Sequence, residues 1–397
     1  MNTLSSFILY ALIFSSLLFQ PSSFSFAQSL TPAMEQCVAN GIDNIFMMQF
    51  DKSEQEFDRC LKENPQHPYG HFARALSRWA RYMYDTEQDQ ADLIPEFEKR
   101  IEEAIKISNT WIDQHPNDAR GLLSLGGIYG LASRLDVIQK NWLRAYFRGR
   151  KAIRHTRLSL KKDPQLYDAY MGIGMYDYYS DALPRFIGVL SRIVLRGDRK
   201  RGIEELKIAA EKGTYTQLAS KLILIEIYTE DPWGAKNAQE ALGMVRSVRA
   251  KYPSSSLFHL TEIICHYEAG DYERAKKLSE DFVIKIEQKK ATYRFRDRPK
   301  AYVSLGMTLW GLKDLSHAKE AFQKAIHSMG KGPSRWGSWA HIRLGQLEDM
   351  ADNREEAKKL YQEVLKTQDF WGFHKVAKKL ISHPYLKGTP PGPIPPP

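Results

Sequence analysis

The chain has 397 residues, of which 43% are hydrophobic and 26% charged. It is long enough to bury a sizeable core and too polar for a polytopic membrane protein. Its 25 Gly and 19 Pro exclude collagen-like and long-linker readings, and three Cys cannot make a disulfide-rich scaffold. The net charge of +10 is only a weak pointer to acidic partners.

Residues 1–27 carry no charged side chain. An apolar run from Phe7 to Phe19 is followed by Pro21, a Ser-rich stretch and Ser25-Phe26-Ala27. Small residues at Ser25 and Ala27 fit a signal-peptidase site before Gln28. The expectation is export, periplasmic or secreted, with an uncleaved membrane anchor as the alternative. The run is shorter than the roughly 20 apolar residues that a spanning helix needs. In an oxidising compartment Cys37, Cys60 and Cys265 leave at least one thiol over. Cys37 and Cys60 fall on two antiparallel helices of one hairpin. The register places Phe57 rather than Cys60 opposite Cys37, so a disulfide and a pair of small core residues both stay open.

From residue 33 onward the pattern is helical and periodic. Pro65, Pro116, Pro164 and Pro253 each stand between two helical runs. About ten residues further on come Ala75, Gly126, Gly174 and Ile263, each inside an apolar-periodic stretch. Later, Leu305-Gly306 precedes Ala318, Phe322 and Ala325; Leu344-Gly345 precedes Ala357, Tyr361 and Val364; and Gly41 precedes Ser53, Phe57 and Cys60. A small residue on each helix lets an antiparallel pair cross closely, and the following aromatic is expected to fill the gap to the next hairpin. The spacing predicts eight hairpins: 33–48 with 51–63, 68–84 with 92–114, 118–132 with 136–162, 165–180 with 184–212, 214–229 with 234–251, 255–268 with 271–288, 298–311 with 314–328, and 335–350 with 353–366. A last helix at about 370–382 caps the array.

These residues resemble the tetratricopeptide-repeat family, whose W-x2-L-G-x2-Y…A-x3-F…P pattern is strongest in 302–325 and 344–364. The resemblance implies an all-α solenoid of helical hairpins in a right-handed superhelix over residues 28–386, here with elongated repeats. Residues 387–397 form a Pro-rich tail expected to be extended and solvated. A narrower stretch, Tyr176-Asp177-Tyr178-Tyr179, Leu183-Pro184, Gly197-Asp198-Arg199 and Glu204-Glu205-Leu206, is similar to a eukaryotic family of such repeats linked to clearance of inclusion bodies.

Catalytic and cofactor motifs fail. Gly172-Ile173-Gly174 lacks a third Gly and a preceding strand, Gly330-Lys331-Gly332 lacks the rest of a phosphate loop, and HExxH, CxxC and GxSxG are absent. His67 and His71 lack a third metal ligand, and His259, Cys265 and His266 suit a buried helix face. Asp198 reads as a helix N-cap rather than part of an Arg-Gly-Asp adhesion site. Paired carboxylates look like an ordinary charged surface. No enzyme, metal or cofactor is expected.

Three binding features remain. First, the solenoid geometry puts Phe72, Leu76, Trp79, Met171, Met175, Tyr178, Leu260, Ile264, Tyr267, Val303, Met307 and Trp310 on the concave side, an apolar wall suited to a protein or peptide segment unless it packs between hairpins. Second, residues 134–162 hold ten cations against Asp136, with Lys140, Arg144, Arg148 and Lys151 on one stripe. This is either a solvated face or a site for an anionic membrane surface; export argues against nucleic acid. Third, the apolar stretch 184–196 is read as a buried insertion or a short interfacial helix.

Overall fold

The computed structural model describes residues 30–85, 93–181, 197–230, 236–290, 292–330, 334–369 and 372–392. Seventeen α-helices and no strand occur among them. The signal-peptide expectation, the stretch 184–196 and residues 393–397 lie outside the described residues.

The helices are α1 Pro32–Phe46, α2 Phe50–Glu63, α3 Pro68–Ala80, α4 Leu93–Gln114, α5 Ala119–Ile138, α6 Trp142–Lys162, α7 Ala169–Asp181 and α8 Arg199–Lys212. They continue with α9 Gln217–Glu230, α10 Ala238–Lys251, α11 Ser256–Glu268, α12 Tyr272–Glu287, α13 Arg298–Gly311, α14 Leu315–His327, α15 Arg335–Met350, α16 Arg354–Leu365 and α17 Phe373–Ser382. Two helices stand at each of the eight expected hairpins and a final helix follows, but the third hairpin turns at 139–141 instead of 133–135, and of the expected helix 184–212 the described helical part is Arg199–Lys212. The elongation lies in α4, α5 and α6, of 22, 20 and 21 residues.

Several hairpins are built on a close crossing. A Cβ added to Gly41 would lie 2.2 Å from the Phe57 ring, one on Gly306 2.7 Å from Phe322, and one on Gly345 2.5 Å from Tyr361. The aromatic of the motif thus sits on the glycine of its own hairpin, instead of filling the gap to the next one. Ser53, Ala318 and Ala357 beside these rings are fully buried. The turns repeat as well. Met48, Lys140, Lys313 and Asp352 have positive φ, and each is followed by the N-cap residue of the second helix. A left-handed residue ends the first helix, and an N-cap such as Asp314 starts the next by accepting from the His317 N–H.

The register of α1 against α2 differs from expectation. Cys37 and Cys60 are bonded, with Cα atoms 5.8 Å apart, while Phe57 covers Gly41 one turn further along. Cys265 is buried and takes no part in a disulfide.

The array also touches itself at long range. Phe46 at the end of α1 stacks on Phe258 at 5.8 Å and tilts against Tyr252 at 6.3 Å. The Ser255 hydroxyl donates to the Phe46 carbonyl at 2.7 Å, and the Tyr252 hydroxyl donates to Asp43. One apolar cluster therefore joins α1 and α2 to Val248, Tyr252, Leu257 and Phe258. The stacking curves far enough for the first hairpin to close on α10 and α11.

Candidate functional site

The residues expected on the concave wall divide into a self-packed part and a part covered by the chain's own end. In the first, Trp79 is buried against Phe97 and Tyr82, with the Arg134 guanidinium 5.5 Å above its ring. Phe72 is half-buried on α3, its ring filling the space where Gly127 of α5 lacks a side chain. Met171 and Met175 are half-buried against the α8–α9 cluster, and Tyr178 is fully buried there. Leu260, Ile264, Val303 and Met307 are likewise buried. These side chains pack between helices, because small residues such as Gly127 and Gly202 let the neighbouring helix come within reach.

The second part lies on α11, α13 and α15. Tyr267 and Trp310 occupy equivalent positions on α11 and α13, and both are 4% exposed. What covers them is the chain's own end. After α17 the backbone turns at Leu386–Thr389, where the Thr389 N–H donates to the Leu386 carbonyl at 3.2 Å. Gly388 holds the turn's third position at φ +80°, which favours Gly strongly. The extended segment that follows, Thr389 to Gly392, comes against Tyr267 of α11 and Arg343 of α15. The Tyr267 hydroxyl donates to the Gly392 carbonyl at 2.8 Å, and the Tyr385 hydroxyl donates to the Pro390 carbonyl at 2.8 Å. Tyr385 meets Trp310 edge-on at 6.0 Å. The expected solvated tail is thus exposed at Thr389 and Pro390 but half-buried at Pro391 and Gly392, where Tyr267 of α11 and Arg343 of α15 meet it.

Two residues that the motif search missed hold this seat. Asp349 on α15 accepts from the Tyr385 N–H at 2.9 Å, the Tyr361 hydroxyl at 2.8 Å and Arg354 at 2.8 Å, tying the start of the tail to α15 and α16. Arg343, also on α15, is 4% exposed, stacks 4.3 Å over Trp339 and donates to Gln346 at 2.9 Å. Burial pushes its guanidinium pKa down to about 10, against the opposing effect of Tyr267, Tyr385 and Glu268. Burial also pushes the Tyr267 hydroxyl well up, so it stays a neutral donor. The spacing rule that gave Met307 and Trp310 gives Gln346 and Asp349 when counted from Gly345. Arg343 has no such signature.

The basic helix is partly neutralised. Arg144 and Arg148 donate to the buried Asp136 at 2.5 and 3.1 Å, and Arg144 also lies 3.6 Å from Glu98. Lys140 is exposed at the turn, and Lys151 reaches over the Tyr129 ring at 5.2 Å. Beside them, Trp142, Leu143 and Phe147 are 47%, 72% and 57% exposed, with Val137 and Ile138 also open.

One carboxylate departs from the expected surface behaviour. Glu205 on α8 has its pKa raised from 4.5 to about 7 by burial and by Asp177 of α7, while Arg201 opposes the shift. Asp177 is fully buried and accepts from Arg157 at 3.3 Å and Arg201 at 2.6 Å. Among the described residues no three His, Cys, Asp or Glu side chains are placed to hold a metal. His67 instead accepts from the Tyr69 N–H at the start of α3, and His71 faces the Pro65 carbonyl at 2.8 Å. Asp198 caps α8 by accepting from the Arg201 N–H at 3.1 Å.

Residues 299–327 match the sequence profile of the tetratricopeptide repeat. The crystal structure of the APC/C hetero-tetramer Cut9–Hcn1 superposes with a TM-score of 0.52 and 15% identity. This is a tetratricopeptide-repeat fold. The match covers 90% of the chain but only 57% of the Cut9–Hcn1 chain, so it bears on the fold alone. A tetratricopeptide repeat protein from Parabacteroides merdae is 11% identical over 88% and 98% of the two chains, with a TM-score of 0.32. IFIT1, as a monomeric mutant with Gppp-AAAA, is 12% identical over 89% of each chain, with a TM-score of 0.45. None of the curated proteins matches the chain in sequence. Among the described residues no helix is long and apolar enough to cross a membrane. A tetratricopeptide-repeat array of this kind offers a concave surface for protein partners.

Proposed function

We propose that the protein is an exported, non-catalytic scaffold that binds a protein segment along the concave face of α11, α13 and α15. The observation that supports this reading is the seated tail. An extended peptide already lies there, held through its main-chain carbonyls by Tyr267 and Tyr385. The Cys37–Cys60 bond supports an oxidising compartment, since such bonds do not persist in reducing cytosol. The test is a pull-down from an envelope fraction with the chain shortened by residues 388–397. Tyr267→Phe and Asp349→Asn are compared with Lys324→Glu on the exposed side of α14. Partners lost in the first two and kept in the third are expected. The same partners in all three would exclude groove recognition.

A second reading is favoured by the open apolar tip of the α5–α6 hairpin. Trp142, Leu143 and Phe147 stand beside Lys140 and are followed along α6 by the exposed Arg150, Lys151 and Arg154. An apolar wedge with a basic flank suits the interface of an anionic bilayer. Flotation with vesicles containing phosphatidylglycerol should carry the wild type and lose Leu143→Glu. Flotation that ignores lipid charge and salt would exclude this reading, because exposed charge contacts are screened over about 8–10 Å.

A further inference from the structure

The contacts made to the tail are of one chemical kind. Between Thr389 and Gly392 they run from protein hydroxyls to tail carbonyls: Tyr385 to Thr389 at 3.5 Å and to Pro390 at 2.8 Å, and Tyr267 to Gly392 at 2.8 Å. The Tyr267 bond places its donor on α11 and its acceptor on the tail, while the two Tyr385 bonds are local ones that hold the turn within the C-terminal segment. Pro has no N–H, so Pro390 and Pro391 leave no donor unsatisfied in such a setting. Proline also reduces the conformational entropy lost on docking, and proline-rich segments bind in grooves lined by aromatic residues. Gly392 is required for a different reason. A Cβ there would lie 2.7 Å from Arg343 Nη2, and Arg343 is itself buried and stacked on Trp339. Pro391 and Gly392 are half-buried in the seat, while Thr389 and Pro390 lead into it exposed.

From this we infer that the concave face of α11, α13 and α15 is a binding site for extended proline-rich segments of the Pro-Pro-Gly type, and that the chain's own tail occupies it in cis. The inference rests on the groove reading above and names the class of partner. A Pro-Pro-Gly segment of another protein must displace the tail to bind. The tail is therefore a competitor tethered through only a few residues to α17, and its effective concentration is on the order of millimolar. A free peptide with an affinity of about 100 μM would then bind the intact chain about tenfold more weakly than a chain with an empty seat.

The experiment uses the synthetic decapeptide of residues 388–397, labelled for fluorescence anisotropy. It is titrated into the full-length chain, into the chain ending at Lys387, and into full-length Gly392→Leu. Expected are about tenfold tighter binding to the shortened chain and to Gly392→Leu than to the wild type. A peptide with all its prolines replaced by alanine should bind the shortened chain at least tenfold more weakly. Tyr267→Phe in the shortened chain should cost about two- to tenfold, the value of one hydrogen bond. If the shortened chain fails to fold, as checked by circular dichroism, Gly392→Leu decides alone. Equal affinity for wild type and Gly392→Leu, or equal binding of the alanine peptide, would overturn the proposal. Loss of the peptide result while the pull-down still depends on Tyr267 would overturn the proline-rich partner only. Loss of both would overturn the groove reading as well.

Discussion

Glu205 shows how much a single side chain depends on its neighbours in space. It lies beside Glu204 in a run that reads as ordinary charged helix surface, and only the α7–α8 crossing puts it next to Asp177. That crossing is close because Gly174 and Gly202 face each other, with a Cβ on Gly202 falling 2.6 Å from the Tyr178 amide. Burial and the neighbouring carboxylate raise its pKa from 4.5 to about 7. The folded state then holds a proton that the unfolded state has released. Its contribution to stability is full below about pH 4.5 and is lost as pH rises to about 7. Glu205→Gln keeps the neutral form at every pH. The variant should melt close to wild type at pH 4.5 and above it at pH 8, and a constant difference across that range would contradict the shift. A second residue-scale outcome concerns the crossing glycines. Gly345→Ala would drive a Cβ into the Tyr361 ring and should cost about 1–3 kcal/mol in denaturant melts, as overpacking does. These glycines were legible in the sequence because each is followed at fixed spacing by its small residue and its aromatic. The carboxylate pair was not, because the spacing pairs α7 with α8 without fixing which of their side chains meet.

At the scale of elements, the repeat frame was readable because every hairpin must bury one apolar face, and Gly306, Ala318 and Phe322 announce how. The end of the array was half readable. The amphipathic pattern of α17 identified a cap, and Phe373, Ala377 and Leu380 do bury against Tyr361 and Val364 of α16. The tail beyond it carried only a composition, and composition cannot reveal a seat formed by Tyr267, some 125 residues away. The two segments should differ sharply in worth. Deleting 370–397 removes α17 and the contacts of Arg354 with the Leu380 and Ile381 carbonyls at 2.8 and 2.5 Å. Each large apolar side chain uncovered costs about 1.5–3 kcal/mol, so melting should fall by many degrees, with fraying or aggregation of α15 and α16. Deleting 388–397 removes a few hydrogen bonds worth about 1 kcal/mol each and should lower the melt only slightly. Equal melting of the full chain and the 370 truncation would mean that α17 does not cap the array.

The whole molecule departs from a one-dimensional array where α1 meets α10 and α11. In an open solenoid each hairpin contacts its neighbours alone, and a defect weakens only the adjacent units. Here Phe46 reaches Tyr252 and Phe258, and the Ser255 hydroxyl bonds to the Phe46 carbonyl, across a separation of 209 residues. No local pattern could disclose this, since closure is the sum of many small rotations between hairpins, and longer helices such as α4 to α6 alter each of them. The consequence is a coupling between the first hairpin and α10–α11 that sequence distance would forbid. Phe46→Ala should cost about 3–5 kcal/mol, in the range of buried aromatic truncations. Its signature is spatial rather than numerical. Amide hydrogen exchange should accelerate in α1 and α2 and, together with them, in residues 248–260, while α4 to α6 between them keep their protection. Phe373→Ala, at the other end, should loosen α16 and α17 and leave residues 248–260 unchanged. Faster exchange spreading from α1 through α3 and α4 in sequence order, with 248–260 unaffected, would show that the chain behaves as an open array. In that case the contact between Phe46 and Phe258 adds nothing to the fold's stability.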